Sequence, residues 1–568
     1  MSDKHKSGAI EALDKLYEFE REPVSADKLQ PGRHFAGLFA GEHVAATEFV
    51  IGAMFVKWGA SVNDVFIGLL LGNIMAVLTW TFVCAPIAVQ TRLTLYWYLR
   101  KIAGPVTTTI YNMLNAVLFC ILAGCMITVS ASAVRIPFGI AAQTRWYPES
   151  PAFVVVVVIV GAVVVTLAIL GFKKLAQFAS VCSPWLFTMF VAGAIVTLPG
   201  LAKHSGAGQI GSLSDFWILA KSTIWTGMAP AGEPQITFMQ VAAFAWICNL
   251  AMHAGLSDMA LLRYAKKASY GAYSAFGMLL GHYVAWICAG VMGAGAAVFL
   301  KRAMGQLDAG DVAVQALGVS GAIAVVIAGW TTSNPTLYRA GMAFQAVTPG
   351  WPRWLVTLVA GIATTIIACF PFVFTKLLNF VGYYGLLLMP VGAIVFAEHW
   401  IFPKIGFAQY RASRRKLLVS SPALLSWAIA IAVALVLQQT GTVHLFFLFV
   451  PVWLLTTVLY LLFCYVTGAR RSFEGRLENA KRGETASQPS GPAIEPGPQG
   501  RRDILLSVSR IFTVASLIVC AALPIWVYAC GADGYEQCLG VFKKALIWPS
   551  LVYFVSATAW AVRGERAR

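Results

Sequence analysis

The stretch Gly37-Leu-Phe-Ala-Gly41-Glu42-His43-Val-Ala-Ala-Thr47-Glu48 and its later counterpart Asn249-Leu-Ala-Met-His253-Ala-Gly255-Leu-Ser257-Asp258 decide how this chain folds. Each sits within an apolar run long enough to cross a bilayer, residues 35–59 and 235–258, and interrupts it with glycine and ionisable side chains. Lipid offers no partner to a freed N–H or C=O, so a helix broken at depth needs protein or a water-lined cavity beside the gap. Matched interruptions that open two halves of a chain mark the place where half-helix ends face a solute and an ion.

Composition agrees with a chain made for lipid. Of 568 residues, 58% are hydrophobic and 12% charged, against a charged share of about 25% in soluble domains. A crossing needs about 20 apolar residues, and fourteen such stretches are legible. Four lie between the first and the sixth, so residues 35–198 and 235–400 read as five-span repeats within a twelve-span core over 35–466. The expected fold is therefore an all-α integral membrane protein with a five-plus-five inverted repeat and about 14 transmembrane helices. Residues 467–509, rich in proline and glycine, have too little apolar surface to fold and read as a disordered cytoplasmic linker. Residues 510–568 hold two further spans and a short tail, and residues 1–34 form a cytoplasmic segment whose IEALDKLYEFEREPV run suggests a short amphipathic surface helix.

The net charge of +17 is explained by placement rather than by a nucleic-acid partner. Most Lys and Arg fall in alternate connections and in both tails, which puts both termini in the cytoplasm of a cell-membrane protein. The first 34 residues are too polar for a cleavable signal peptide. Nine of the eleven cysteines fall in predicted spans as small core hydrophobes, whereas Cys530 and Cys538 flank a predicted outer loop, GADGYEQ, where a disulfide is possible.

An ionised side chain at bilayer depth is costly unless it faces a partner or a cavity, so Glu42 and His43 are substrate-facing candidates. Glu48, one turn further on, approaches the outer interface, although either Glu42 or Glu48 would also serve to carry a proton. His253 supplies an imidazole to the second interruption. Asp258, followed by Arg263 and Tyr264, reads as a gate or helix-orienting ion pair with Arg263. The eighth span, residues 312–335, ends in Trp330-Thr331-Thr332-Ser333-Asn334-Pro335. Thr331, Thr332 and Ser333 offer neutral oxygens of the kind a hard cation such as Na+ takes, or else they bond their own i−4 carbonyls. His282 and the Glu398-His399 pair read as packing or interfacial groups. The sequence contains no P-loop, no metal-ligand spacing and no nucleophile–base motif, which leaves an ion gradient, Na+ or H+, as the energy source and gives no support to an enzyme or a cofactor.

Three runs make the chain resemble the nucleobase cation symporter family, the cytosine/purine, uracil, thiamine and allantoin permeases: TEFVIGAMFVKWGASVNDVFIGLLLGN across the first two spans, GLSDMALLRYAKK after the sixth, and YYGLLLMPVGAIVFAEHW in the tenth. The resemblance covers residues 30 to 465 and implies a leucine-transporter-type inverted repeat, alternating access and a solute held between the first, third, sixth and eighth spans. Departures fall at the solute. Leu122 stands where family members often place a stacking Trp, Met126 where a polar side chain is common, and Asn249 where the sixth-span aromatic is expected. Trp246, Trp330, Tyr383 and Tyr384 are alternative sources of a ring. The resulting expectation is an ion-coupled importer of a small polar heterocycle, with the bilayer and a small molecule as partners. An amino-acid or other organic-solute symporter on the same fold, and a non-transporting membrane receptor, stay open.

Overall fold

The computed structural model describes residues 13, 16–143, 145–206, 208–371, 377–471 and 504–566. Ten helices among the described residues are long and apolar enough to cross a membrane, or eleven if one bent pair counts as a single span. That pair is the first interruption: α1 (Gly32–His43) and α2 (Glu48–Lys57) meet at 51° across a four-residue gap. The chain continues through α3 (Asp64–Thr91), α4 (Leu95–Val134), α5 (Pro151–Ile169) and α6 (Phe172–Ser205), which completes one repeat.

The second repeat opens with α7 (Phe238–Ile247) and, beyond the second interruption, the single turn α8 (Met259–Leu262). It continues with α9 (Ala268–Leu300), α10 (Ala309–Leu317), α11 (Val319–Gln345), α12 (Arg353–Ala368) and α13 (Asn379–Ile405). Four helices follow: α14 (Ser421–Gln439), α15 (Phe449–Val466), α16 (Ile504–Ala529) and α17 (Asp533–Gly564).

Local chemistry sets these boundaries. Thr237 and Gln240 form a reciprocal capping box at the start of α7, and Asp308 and Asp311 do the same for α10. Gly104, at φ +79°, turns the chain inside α4 just before Pro105 and packs against the Leu418 carbonyl, space that a side chain would fill. In the second interruption the strain falls on a non-glycine residue, since Leu256 is held at φ +64°, a left-handed conformation costing about 1–2 kcal/mol. Both gaps are gripped by glycines of other helices. A Cβ on Gly281 would lie 2.1 Å from the His43 carbonyl oxygen, and one on Gly392 would lie 1.8 Å from that of Ala254. Small residues let backbones approach closely where lipid supplies no hydrophobic drive between helices.

Several boundaries differ from the sequence expectation. Pro335 does not end the eighth span's helix: α11 runs unbroken to Gln345, so Arg339, placed by the expected span end at 335 in the connection that follows, lies inside this helix and is buried. The loop expected between Cys530 and Cys538 is helical, and the two cysteines are bonded across it. Of the expected surface helix over residues 10–24, positions 10–12, 14 and 15 lie outside the described residues; residues 16–24 are not helical and dock on the protein, with Glu20 and Val24 buried. Residues 472–503 of the expected linker lie outside the described residues, and α16 starts at Ile504.

The last two helices pack on α6, which contains Pro184 and Pro199. The Tyr553 hydroxyl donates to the Val181 carbonyl at 2.8 Å and the Tyr535 hydroxyl to the Val196 carbonyl at 2.9 Å. Each acceptor lies three residues before a proline, in the turn whose hydrogen bonding the proline disturbs. The Trp185 indole also donates to Ser550 Oγ at 3.0 Å.

Candidate functional site

Both interruptions are built alike. A histidine closes the first half-helix, His43 in α1 and His253 in the one-turn helix after α7. Five residues on, an acid stands at the next helical segment, Glu48 at the first position of α2 and Asp258 at the cap of α8. Each acid accepts an indole N–H from a helix of the opposite repeat. Trp80 of α3 donates to Asp258 Oδ2 at 2.6 Å, and Trp286 of α9 donates to Glu48 Oε2.

The centre of the molecule is an ion-pair triad. Arg339 of α11 donates to both carboxylate oxygens of Glu42, at 2.6 and 3.0 Å, and through Nε to Asp258 Oδ1 at 2.8 Å. Arg339 and Asp258 are fully buried and Glu42 is 4% exposed. One guanidinium thus holds the end of α1, the start of α8 and the body of α11 together, with a fork geometry suited to two carboxylates. This corrects the expected Asp258–Arg263 pair. Arg263 instead donates to the carbonyls of Glu18, at 2.5 Å, and Phe19, at 2.6 Å, in the segment before α1. Glu18 also accepts from the hydroxyls of Tyr264, at 2.5 Å, and Tyr338, at 2.9 Å. The amino-terminal segment is therefore clasped at one end of the bundle by α11 and the chain after α8. Burial raises the pKa of the docked Glu20 carboxyl above its ordinary value, and Arg353, 3.9 Å away, opposes that shift.

The hydroxyl run on α11 divides. Ser333 donates to Gly329 O at 2.7 Å, and Thr331 to Ala328 O at 3.0 Å, so both serve their own helix. Thr332 bonds Ala328 O at 3.0 Å and also reaches the Glu42 carbonyl at 2.8 Å, across the gap to α1. The carbonyls of Ala328 and Glu42 and the hydroxyls of Thr331 and Thr332 thus converge as neutral oxygens, with Ser333 set apart from them. They adjoin a triad whose formal charges, two carboxylates and one guanidinium, leave one negative charge uncompensated.

Around the gaps lie buried polar atoms with no protein partner: His43 Nε2, His253 Nδ1, His282 Nδ1, Trp330 Nε1 and both amide atoms of Asn334. The other ring nitrogens of His43 and His253 lie 2.8 and 2.9 Å from the carbonyls of Phe39 and Trp246. Leu122 and Met126 are buried in α4, where the Met126 carbonyl accepts from Ser130 Oγ at 3.0 Å and a side chain on Gly329 of α11 would crowd it. Asn249 is half-buried, 3.9 Å from Met278 Sδ. Trp246 bonds Thr79 and Tyr384 bonds Met252 Sδ, so these rings are engaged in packing.

Two residues escaped the sequence reading. Trp80 stands edge-on between His43, at 5.5 Å, and His253, at 4.8 Å, and joins the two gaps. Arg339 was hidden by a misplaced helix end. A third, His282, was read as a packing group and Glu48 as interfacial, yet Glu48 is 3% exposed and His282 Nε2 lies 3.7 Å from it. The repeated spacing His-x4-acid, HVAATE and HAGLSD, is the signal that would have matched the two sites. Glu398 does pack structurally, accepting the Tyr460 hydroxyl at 2.7 Å.

The arrangement defines a class: a multi-pass membrane protein with two half-helix breaks facing one another between inverted repeats, the leucine-transporter-type fold. No protein-family model matches the chain, and no curated protein matches it either. Solved structures do. Mhp1, a nucleobase-cation-symport-1 family transporter, in a closed conformation with bromovinylhydantoin bound, is 16% identical with a TM-score of 0.62, covering 82% of this chain and 99% of its own. The inward-facing conformation of Mhp1 aligns with a TM-score of 0.57 at the same identity and coverage. A Na+-coupled sialic acid symporter in a substrate-bound outward-open state is 13% identical with a TM-score of 0.57, over 81% of this chain and 96% of its own. At these identities the likeness is one of fold.

Proposed function

We propose that this protein is a secondary active transporter that imports a small polar heterocycle, a nucleobase or related compound, by cation symport and alternating access at the paired helix breaks. The observation that carries the reading is the contact of Thr332 on α11 with the Glu42 carbonyl at the first break, beside a triad with one uncompensated negative charge. A monovalent cation there would take the carbonyls of Ala328 and Glu42 and the hydroxyls of Thr331 and Thr332 as ligands and would balance that charge.

The unpaired edges of His43, His253 and Asn334 supply donors and acceptors suited to a ring with alternating N–H and C=O groups. The solved relative of this fold that holds a hydantoin supports the same solute class. The distribution of Lys and Arg supports cytoplasmic termini, and the core over 35–466 is proposed as the transporting unit.

Purified protein in proteoliposomes, tested against labelled hydantoins, nucleobases, vitamins and amino acids, is expected to accumulate a heterocycle only under an inward Na+ or H+ gradient. Thermal unfolding of the same protein should rise with that solute, because a ligand bound only to the folded state stabilises it. Accumulation of none of these solutes under either gradient would remove the proposal.

A further inference from the structure

The two gaps share a histidine, an acid five residues on and an indole donor to that acid, but they differ in the acid's counter-charge. At the second, Asp258 has an indole donor, Trp80, and a permanent counter-charge, Arg339. At the first, Glu48 has the corresponding indole donor, Trp286, and among the described residues no guanidinium within salt-bridge distance. Among the described residues the basic group within salt-bridge distance of Glu48 is His282, with Nε2 at 3.7 Å from Oε1. Lys57, the basic residue on the same helix, is engaged with Glu233 at 3.1 Å. A fixed charge therefore balances one acid and a removable one faces the other.

We infer that Glu48 and His282 form a proton-binding site that loads and releases one H+ during transport. Geometry confines that proton to the pair. Glu48 is 3% exposed and His282 also 3%, and the two come from different helices, α2 and α9. The His282 ring stacks on Trp286 at 4.3 Å, which fixes its plane while Trp286 holds the carboxylate.

The other groups facing the pair are His43 at the end of α1, whose ring centroid is 5.1 Å from that of His282, Thr47 beside Glu48, and the buried thiol of Cys248 after α7. Glu42, Asp258 and Arg339 neutralise one another within their own triad, apart from its residual negative charge, and His253 sits across Trp80.

The step involves one proton. With the proton bound, either the carboxyl carries O–H and the imidazole is neutral, or the carboxylate faces an imidazolium. On release, an O–H or N–H bond breaks, the proton passes to water on the open side, and a carboxylate is left beside a neutral imidazole. A buried carboxylate without a cation is disfavoured, so release requires the gap to open to water or to admit another cation. Proton occupancy is thereby tied to the α1–α2 hinge. His43, with Nε2 unpaired and its carbonyl against Gly281 of the same helix as His282, joins the pair to the end of α1.

This inference rests on the transporter reading for its role in coupling, but the site itself is tested without any solute. Trp286 reports directly, since a protonated imidazole quenches a stacked indole. The fluorescence of full-length protein in nanodiscs, titrated between pH 4 and pH 9, is expected to show a transition that Trp286→Phe removes. Glu48→Gln, which keeps an acceptor for the indole, should abolish that transition or shift it by about one unit or more, and His282→Gln should abolish it. Infrared titration of wild-type protein labelled with 13C-glutamate should show a buried carboxyl band appearing over the same range, a readout that needs no variant to fold.

A Trp286-dependent transition unchanged in both Glu48→Gln and His282→Gln, or no titrating signal in either measurement, overturns the site. In proteoliposomes Glu48→Gln is expected to retain solute exchange while losing accumulation driven by a pH gradient. Retained pH-driven accumulation overturns the coupling role, whereas a chain that moves no solute overturns the transporter reading and leaves the titration to decide the proton site.

Discussion

Replacing Arg339 with methionine is expected to be the most damaging single change in the molecule. The guanidinium is fully buried and is the shared partner of Glu42 and Asp258, each of which it contacts directly. Methionine fills similar volume but leaves two carboxylates uncompensated at bilayer depth. Breaking a buried pair in this way costs about 3–5 kcal/mol, a large fraction of the stability of a folded domain. Size-exclusion profiles and thermal unfolding in detergent should show a population that fails to assemble or that melts far below wild type. The triple variant Glu42→Gln, Asp258→Asn, Arg339→Met should recover much of the stability, because no charge is then stranded, but not the transport. If Arg339→Met alone melts like wild type, the triad does not tie the two breaks together.

The second large effect is expected at Thr332. Its hydroxyl alone in the α11 run crosses to α1, reaching the Glu42 carbonyl at 2.8 Å. A hydrogen-bonding group that serves a charge contributes about 1.5–3 kcal/mol, so Thr332→Ala should raise the half-saturating Na+ concentration roughly ten- to hundredfold. Ser333→Ala, which removes a hydroxyl bonded to its own Gly329 carbonyl, should leave it near wild type. The contrast between the two variants, measured as Na+ dependence of uptake or of thermal stability, separates cation ligation from helix packing. Equal responses would show that the run serves only α11.

How much of this was legible beforehand follows from what each residue does to the pattern around it. The two breaks could be read because glycine and ionisable groups inside an apolar run contradict a continuous helix. Glu42, His43, His253 and Asp258 were found for that reason. Arg339 was lost to a local rule that fails in membranes. A proline after four polar residues looks like a helix end, yet a membrane helix tolerates one where neighbouring groups can bond the freed backbone, and α11 continues ten residues past Pro335.

Trp80 left no mark, being one apolar residue in an apolar span. It is brought between the two histidines at a π-helical turn, Trp80–Cys84, and His282 also lies in a π-helical stretch, Phe276–Ala285. Such turns rotate side chains off the 3.6-residue register on which sequence reading depends. Asp258 was correctly singled out but given the wrong partner, because sequence nearness favoured Arg263 over a residue 81 positions away.

The tyrosines that α17 lends to α6 bear on what counts as the functional unit. Pro184 and Pro199 each loosen a turn of the fifth span, and phenols from the carboxy-terminal pair donate to the carbonyls of Val181 and Val196 in those turns. Without those phenols the two turns of α6 would lose a second donor each, a net hydrogen bond worth about 0.5–1.5 kcal/mol apiece. The appendage thus braces the fifth span of the proposed transporting core from outside, and its removal is expected to loosen that span rather than to dismantle the two breaks.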